Sequence, residues 1–172
     1  IIPTVGCVAQ VASALAVWGN ERLADRTFTG IDAFTALEHP YGCSQLGVDH
    51  ERTRTVLAAL AAHPHAAGVL LVGLGCENNT METFLEMLDG HTRSKTAWMV
   101  CQHVPDEFEH GTRLLAHLAT LAGQARRTAV PLGRLVVGLK CGGSDGLSGI
   151  TANVLAGLYS DMLTSCGGRT IL

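Results

Sequence analysis

The chain has 172 residues, is 47% hydrophobic and 16% charged, and carries a formal net charge of −3. That composition builds a globular core and excludes a disordered chain. It has no basic tract to hold nucleic acid and no apolar run long enough to span a bilayer.

The first predicted element is a strand over "IIPTV", residues 1–5, followed by a weaker helical pattern over 8–18. "DAFTALE", residues 32–38, reads as the second strand. Val56, Leu57 and Leu60 mark a helix ending near Pro64. "GVLLVGL", residues 68–74, reads as the third strand. Met81, Phe84, Leu85 and Leu88 form the next helical stripe, with a capping box from Asn79 to Glu82. "TAWMVCQ", residues 96–102, is a further strand. Leu114, Leu118 and Leu121 form a helix opened by Pro105 and Asp106. Residues 126–131 read as a plain connection before the strand "RLVVGL", residues 134–139. Leu155, Leu158, Tyr159 and Met162 form the last helix, closed by Cys166-Gly167-Gly168, and "RTIL" is a final strand.

Most strands are continuous apolar runs, the pattern of strands buried on both faces of a parallel sheet. Alternation with helices predicts an α/β fold, Rossmann-like and three-layered (α/β/α), with a mostly parallel sheet. The chain has no initiator methionine, opens inside a strand-like run and stops as another begins. It is therefore expected to be a piece of a longer polypeptide.

Ligands of open α/β sheets bind beyond the carboxyl ends of the strands. Those turns carry Gly6-Cys7, then His39 to Gln45 with Cys43 and Ser44, then Gly75-Cys76-Glu77-Asn78-Asn79, then Gln102 and His103, and finally Lys140 to Asp145. Alone, each has a bland reading: a strand-end cysteine is usually a small buried hydrophobe, and glycines shape tight turns. Their coincidence on one sheet edge points to a site. The six cysteines are widely spaced, which fits free or metal-binding thiols in a reducing cytoplasm. Thiolate, imidazole and carboxylate together suit iron or zinc, although no C-x-x-C pair is present. The glycine-rich turn after residue 140 can form a backbone nest for a carboxylate. Neither a Walker loop nor G-x-G-x-x-G is present.

"HPYGCSQLGVDHERTRTVLAALAAHPHAAGVLLVGLGCENN", residues 39–79, resembles the second domain of the altronate and galactarate dehydratase family. "GLKCGGSDGLSGITAN", residues 138–153, and "IIPTVGCV" at the start resemble other motifs of that family. Val154 stands where the family usually has proline. The resemblance covers nearly the whole chain. It divides the chain into 1–133, like the family's second domain, and 134–172, like the start of its C-terminal domain.

The resemblance implies a cytoplasmic hydro-lyase that removes water from an altronate- or galactarate-type sugar acid, giving a 2-keto-3-deoxy acid. It implies Fe2+, with Mn2+ as a substitute, and missing N- and C-terminal domains of the same chain as partners. A homo-oligomer is also expected. His39, His50 and His103 are candidate bases or ligands, and Lys140 can offset substrate charge. Cys43, Cys76, Glu77 and Cys141 are candidate metal ligands. Ser44, Gln45, Asn78, Asn79, Gly142, Gly143, Ser144 and Asp145 are candidate substrate contacts. Two other classes stand beside this reading. One is a non-catalytic structural or oligomerising domain, and the other is an iron–sulfur module held by strand-end cysteines, which is less favoured. The related sulfolactate sulfo-lyases carry similar motifs, so carbon–sulfur lysis is a further alternative.

Overall fold

The structure is a computed structural model and describes every residue except Cys141, Gly142 and Ser144. The chain divides into two compact units, Ile1–Arg126 and Arg127–Leu172.

The first unit runs β1 (Ile2–Pro3), α1 (Ala9–Ala24), α2 (Gly47–Ala61), β2 (Val69–Gly73), α3 (Met81–Glu86), α4 (Gly90–Ser94), β3 (Thr96–Val100) and α5 (Glu107–Ala122). Its sheet has the order β1-β2-β3, all parallel. The central strand β2, "VLLVG", is buried at every residue, as a strand covered on both faces must be. Its side chains alternate. Val69 and Leu71 pack with Leu57 of α2 and Phe84 of α3, while Leu70 and Val72 pack with Leu15 of α1 and Leu115 and Leu118 of α5. Helices therefore cover both faces of a parallel sheet, which is the expected three-layer α/β arrangement.

The expected strand over 32–38 is not formed. Its backbone groups find other partners. Phe34 donates its N–H to Asn20 Oδ1 at 2.9 Å and accepts from Asn20 Nδ2 at 2.8 Å. Leu37 N–H donates to Ile1 O at 2.9 Å. The Ile1 amino group donates to Thr35 O at 2.7 Å, so Asn20 and Ile1 hold the segment without a ladder. The cap of α3 is also shifted by one residue. Thr80, not Asn79, accepts from Thr83 N–H. The α5 start is as expected, with Asp106 Oδ1 accepting from Glu109 N–H at 2.8 Å.

The second unit holds β4 (Val136–Gly138), α6 (Ala152–Ser165) and β5 (Arg169–Ile171). β4 and β5 form their own parallel pair, so the strands make two sheets and not the single sheet expected. Leu163 is buried there, while Leu155, Leu158 and Met162 of α6 are exposed. Among the described residues, no helix is long and apolar enough to cross a membrane.

Candidate functional site

The parallel sheet brings the ends of β1, β2 and β3 to one edge. The chain must turn away there, and Glu77 organises the turns. Its Oε1 accepts from the Thr4 hydroxyl at 2.7 Å and from Leu74 N–H at 3.0 Å. Its Oε2 accepts from Gly75 N–H at 2.6 Å. The carboxylate is thus seated among the backbone N–H groups that end β2. Burial pushes its pKa up, but these hydrogen bonds outweigh burial and hold the carboxyl below the usual glutamate range.

Asn79 lies beside it, fully buried. Its Nδ2 donates to Thr4 O at 3.2 Å, and its Oδ1 has no partner. Thr4 N–H continues the ladder by donating to Val72 O at 2.8 Å. Thr4 and Asn79 therefore tie the end of β1 to the turn after β2.

The loop 39–45 reaches the same edge without being a strand end. Gly6 N–H donates to Tyr41 O at 2.8 Å, and Asn78 Nδ2 donates to Gln45 O at 3.0 Å. Gln45 Oε1 accepts from Gly42 N–H at 3.0 Å. Gly42 lies directly over Thr4 and Val5 with φ +99°, a place that admits no side chain. His39 Nδ1 accepts from Tyr41 N–H at 3.2 Å, so Nε2 carries the proton and donates to Pro3 O at 2.8 Å. Both ring nitrogens of His39 are committed within the chain.

Two families match the chain. "D-galactarate dehydratase/Altronate hydrolase, second domain" matches residues 1–125, and "D-galactarate/Altronate dehydratase, C-terminal" matches residues 132–172. The chain belongs to the D-galactarate/altronate dehydratase family.

Relatives within that family include an altronate dehydratase of Bacillus subtilis (strain 168), 44% identical over all of this chain and 34% of the relative. An altronate dehydratase of Escherichia coli (strain K12) is 43% identical over the same share of each. A galactarate dehydratase (L-threo-forming) of Escherichia coli (strain K12) is 33% identical over 65% of this chain and 23% of the relative. The chain spans about a third of the length of the two altronate dehydratases. No solved structure gives a significant match.

On this dehydratase-family scaffold the other expected residues fall into four groups. Cys43, Ser44, Gln45, Cys76, Asn78 and His103 stand on the sheet edge of the first unit, as does Cys7, which the sequence reading left out of the site. Cys7, Cys43 and Cys76 are exposed thiols in three neighbouring turns. His103 is exposed, in the turn after β3. His50 sits in the first turn of α2, with a buried Nδ1 that has no partner. Lys140, Gly143 and Asp145 belong to the second unit and are exposed. Asp145 holds its own turn, accepting from Leu147 N–H at 3.2 Å. Cys141, Gly142 and Ser144 lie outside the described residues. Among the described residues, no three His, Cys, Asp or Glu side chains gather as a metal site. Thr4 went unnoticed in the sequence. Its one available signal was a hydroxyl inside an apolar strand run.

The thiols differ in reactivity. Burial pushes the Cys101 thiol up to about 11, helped by the carboxylates of Glu107 and Glu77. Iodoacetamide at pH 8 is expected to label Cys7, Cys43, Cys76 and Cys166 first and Cys101 about a hundredfold more slowly, because the thiolate is the nucleophile. Timed digestion and mass spectrometry read the rates, and equal labelling of Cys101 in folded protein contradicts this assignment.

Proposed function

We propose that this chain is part of a hydro-lyase that dehydrates an altronate- or galactarate-type sugar acid. One observation carries the reading: identity of 44% with an altronate dehydratase runs through all 172 residues. The reaction removes the proton α to the carboxylate and expels the β-hydroxyl as water. The enol that results tautomerises to a 2-keto-3-deoxy acid.

A base must take the α-proton, and an acid must protonate the leaving hydroxyl. His103 is the proposed ring for proton transfer; its exposure at the edge and its lack of a hydrogen bond among the described residues support that role. His39 is better suited to holding the loop 39–45 in place. Exposed donors at Ser44 and Asn78 can meet substrate hydroxyls. Lys140 and the glycine-rich turn of the second unit are proposed for the substrate carboxylate. Fe2+ remains part of the proposal, but the described residues do not by themselves complete a site for it, so no step is routed through metal. Cys43, Cys76 and Cys141 each remain a proposed ligand in a longer enzyme.

The test uses the full-length enzyme. Cys43→Ser, Cys76→Ser and Cys141→Ser should each lower bound iron and altronate or galactarate turnover together. His103→Gln should lower turnover at least tenfold with iron content unchanged. Normal iron and turnover in all three cysteine variants removes the ligand assignment. Full dehydration by His103→Gln removes the base.

A further inference from the structure

A second concave site adjoins the start of the 39–45 loop. It is a pocket of about 390 Å³ between the segment 37–41 and the outer face of α2. Leu37, Val56, Leu57 and Leu60 make its walls. Small-molecule sites commonly start near this size, about 300 Å³ and above, and pair apolar walls with a few polar groups that set orientation.

The polar groups here are specific. Arg52 lines the pocket, is exposed, and makes no ion pair or hydrogen bond among the described residues. The neighbouring arginine of α2 is differently placed: Arg54 is paired with Glu51 at 3.3 Å and donates to Thr83 O at 3.0 Å. Glu38, which also lines the pocket, is hydrogen-bonded to the Ser13 hydroxyl. The rings of His39 and Tyr41 are stacked at 6.2 Å on the loop side. Both His39 nitrogens are committed, so His39 offers a ring face and no free donor. The pocket thus presents one uncommitted cation, a carboxylate hydrogen-bonded to Ser13, a leucine-rich wall and a ring stack.

We propose that this pocket binds a small monocarboxylate with an apolar body, alkyl or aryl, whose carboxylate meets Arg52. A sugar acid is the wrong shape chemically. It carries a hydroxyl on nearly every carbon, and those groups would lose water against Leu37, Val56, Leu57 and Leu60 without gaining partners. The planar guanidinium can take a carboxylate in two parallel hydrogen bonds, which a neutral amide cannot match. A ligand seated there rests on the same 39–45 loop that carries Cys43, Ser44 and Gln45, so occupancy bears on the candidate site. The inference does not depend on the dehydration reading: His39 adjoins both places, but Arg52 and the wall of Leu37, Val56, Leu57 and Leu60 take no part in that reading, and the ligand class differs.

The test is calorimetric titration of the full chain with 4-methylpentanoate and phenylacetate, with 4-methylpentanamide and galactonate as controls. One carboxylate per chain should bind saturably. The amide should bind at least tenfold more weakly, and galactonate should not compete. Arg52→Gln should weaken carboxylate binding at least tenfold, with an unchanged thermal melt because Arg52 is exposed and unpaired. Val56→Glu, also at an exposed position, should abolish binding by placing a negative charge in the wall. Equal binding by Arg52→Gln, equal binding of galactonate, or no binding of either carboxylate overturns the proposal. So does light scattering showing that the carboxylates bind only by dissociating a dimer, since the pocket would then belong to a second copy.

Discussion

Replacing Glu77 by Ala is expected to destabilise the first unit by on the order of 3–5 kcal/mol, lowering its melting temperature by roughly 10 °C or more. The side chain is 6% exposed and accepts from Thr4, Leu74 and Gly75. Alanine removes the acceptor: the Thr4 hydroxyl keeps only its longer contact with Val72 O at 3.4 Å, and the N–H groups of half-buried Leu74 and exposed Gly75 lose their carboxylate partner. The loss is mainly that of hydrogen bonds to a charged acceptor, about 1.5–3 kcal/mol each, and it is reduced where water reaches the exposed Gly75 N–H. Glu77→Gln keeps one acceptor oxygen but sets an NH2 group against N–H donors, so it should fall between wild type and alanine.

The pH dependence follows from the same geometry. The folded carboxyl titrates below its unfolded value, because its hydrogen bonds favour the charged form more than burial disfavours it. Its contribution is therefore fully present above the ordinary glutamate value of 4.5 and is lost as pH falls through the lower folded value. Urea melts at neutral and acid pH should show the gap between wild type and Glu77→Gln narrowing in acid. A gap that stays constant between neutrality and strong acid contradicts the assignment.

Gly42→Ala should be the second large effect, and it should fall on the loop before it falls on the sheet. An added Cβ would meet Thr4 O and would stand 2.8 Å from Val5 Cα, both backbone atoms that cannot swing aside. The φ of +99° adds strain of its own. Backbone strain of about 1–3 kcal/mol and overpacking of about 1–3 kcal/mol together predict a loss of roughly 2–5 kcal/mol. Gly47→Ala is the matched comparison. Gly47 has φ +56° but nothing within 4 Å of its added Cβ, so it should lose only about 1–2 kcal/mol. Relief of the Gly42 clash requires the 39–45 loop to lift from β1, which should loosen the Gly6–Tyr41 hydrogen bond and change the alkylation rate of Cys43. Equal denaturation midpoints for the two variants would show that the close approach carries no energy.

Much of the first unit could be read from pattern alone. The run "VLLVG" is apolar at both parities, and only a strand covered on both faces keeps such a run from water. The Asp106 cap of α5 was readable because an acceptor followed by Glu107 and Glu109 satisfies the free N–H groups of a first turn. The segment 32–38 misled because its β-favouring residues are equally content in an extended segment. Asn20, fourteen residues before Phe34, supplies bonds a neighbouring strand would have given. A side-chain partner at that separation has no local signature. The cap at Thr80 was displaced from Asn79 for a related reason: Asn79 is drawn into the buried contact with Thr4, leaving the next hydroxyl to cap α3.

By itself the sequence determined the α/β alternation, the parallel pairing of buried strands, the family, and the clustering of cysteine, histidine and glycine in the turns. These follow from periodicity and local chemistry, which the order of residues carries directly. The tertiary structure alone decided how the turns are used. It placed Glu77 in a nest of donors, committed both nitrogens of His39, seated Gly42 over Thr4, and separated β4 and β5 into a second sheet. Those outcomes depend on which groups meet across dozens of residues, where hydrogen-bond satisfaction and close packing select a single arrangement.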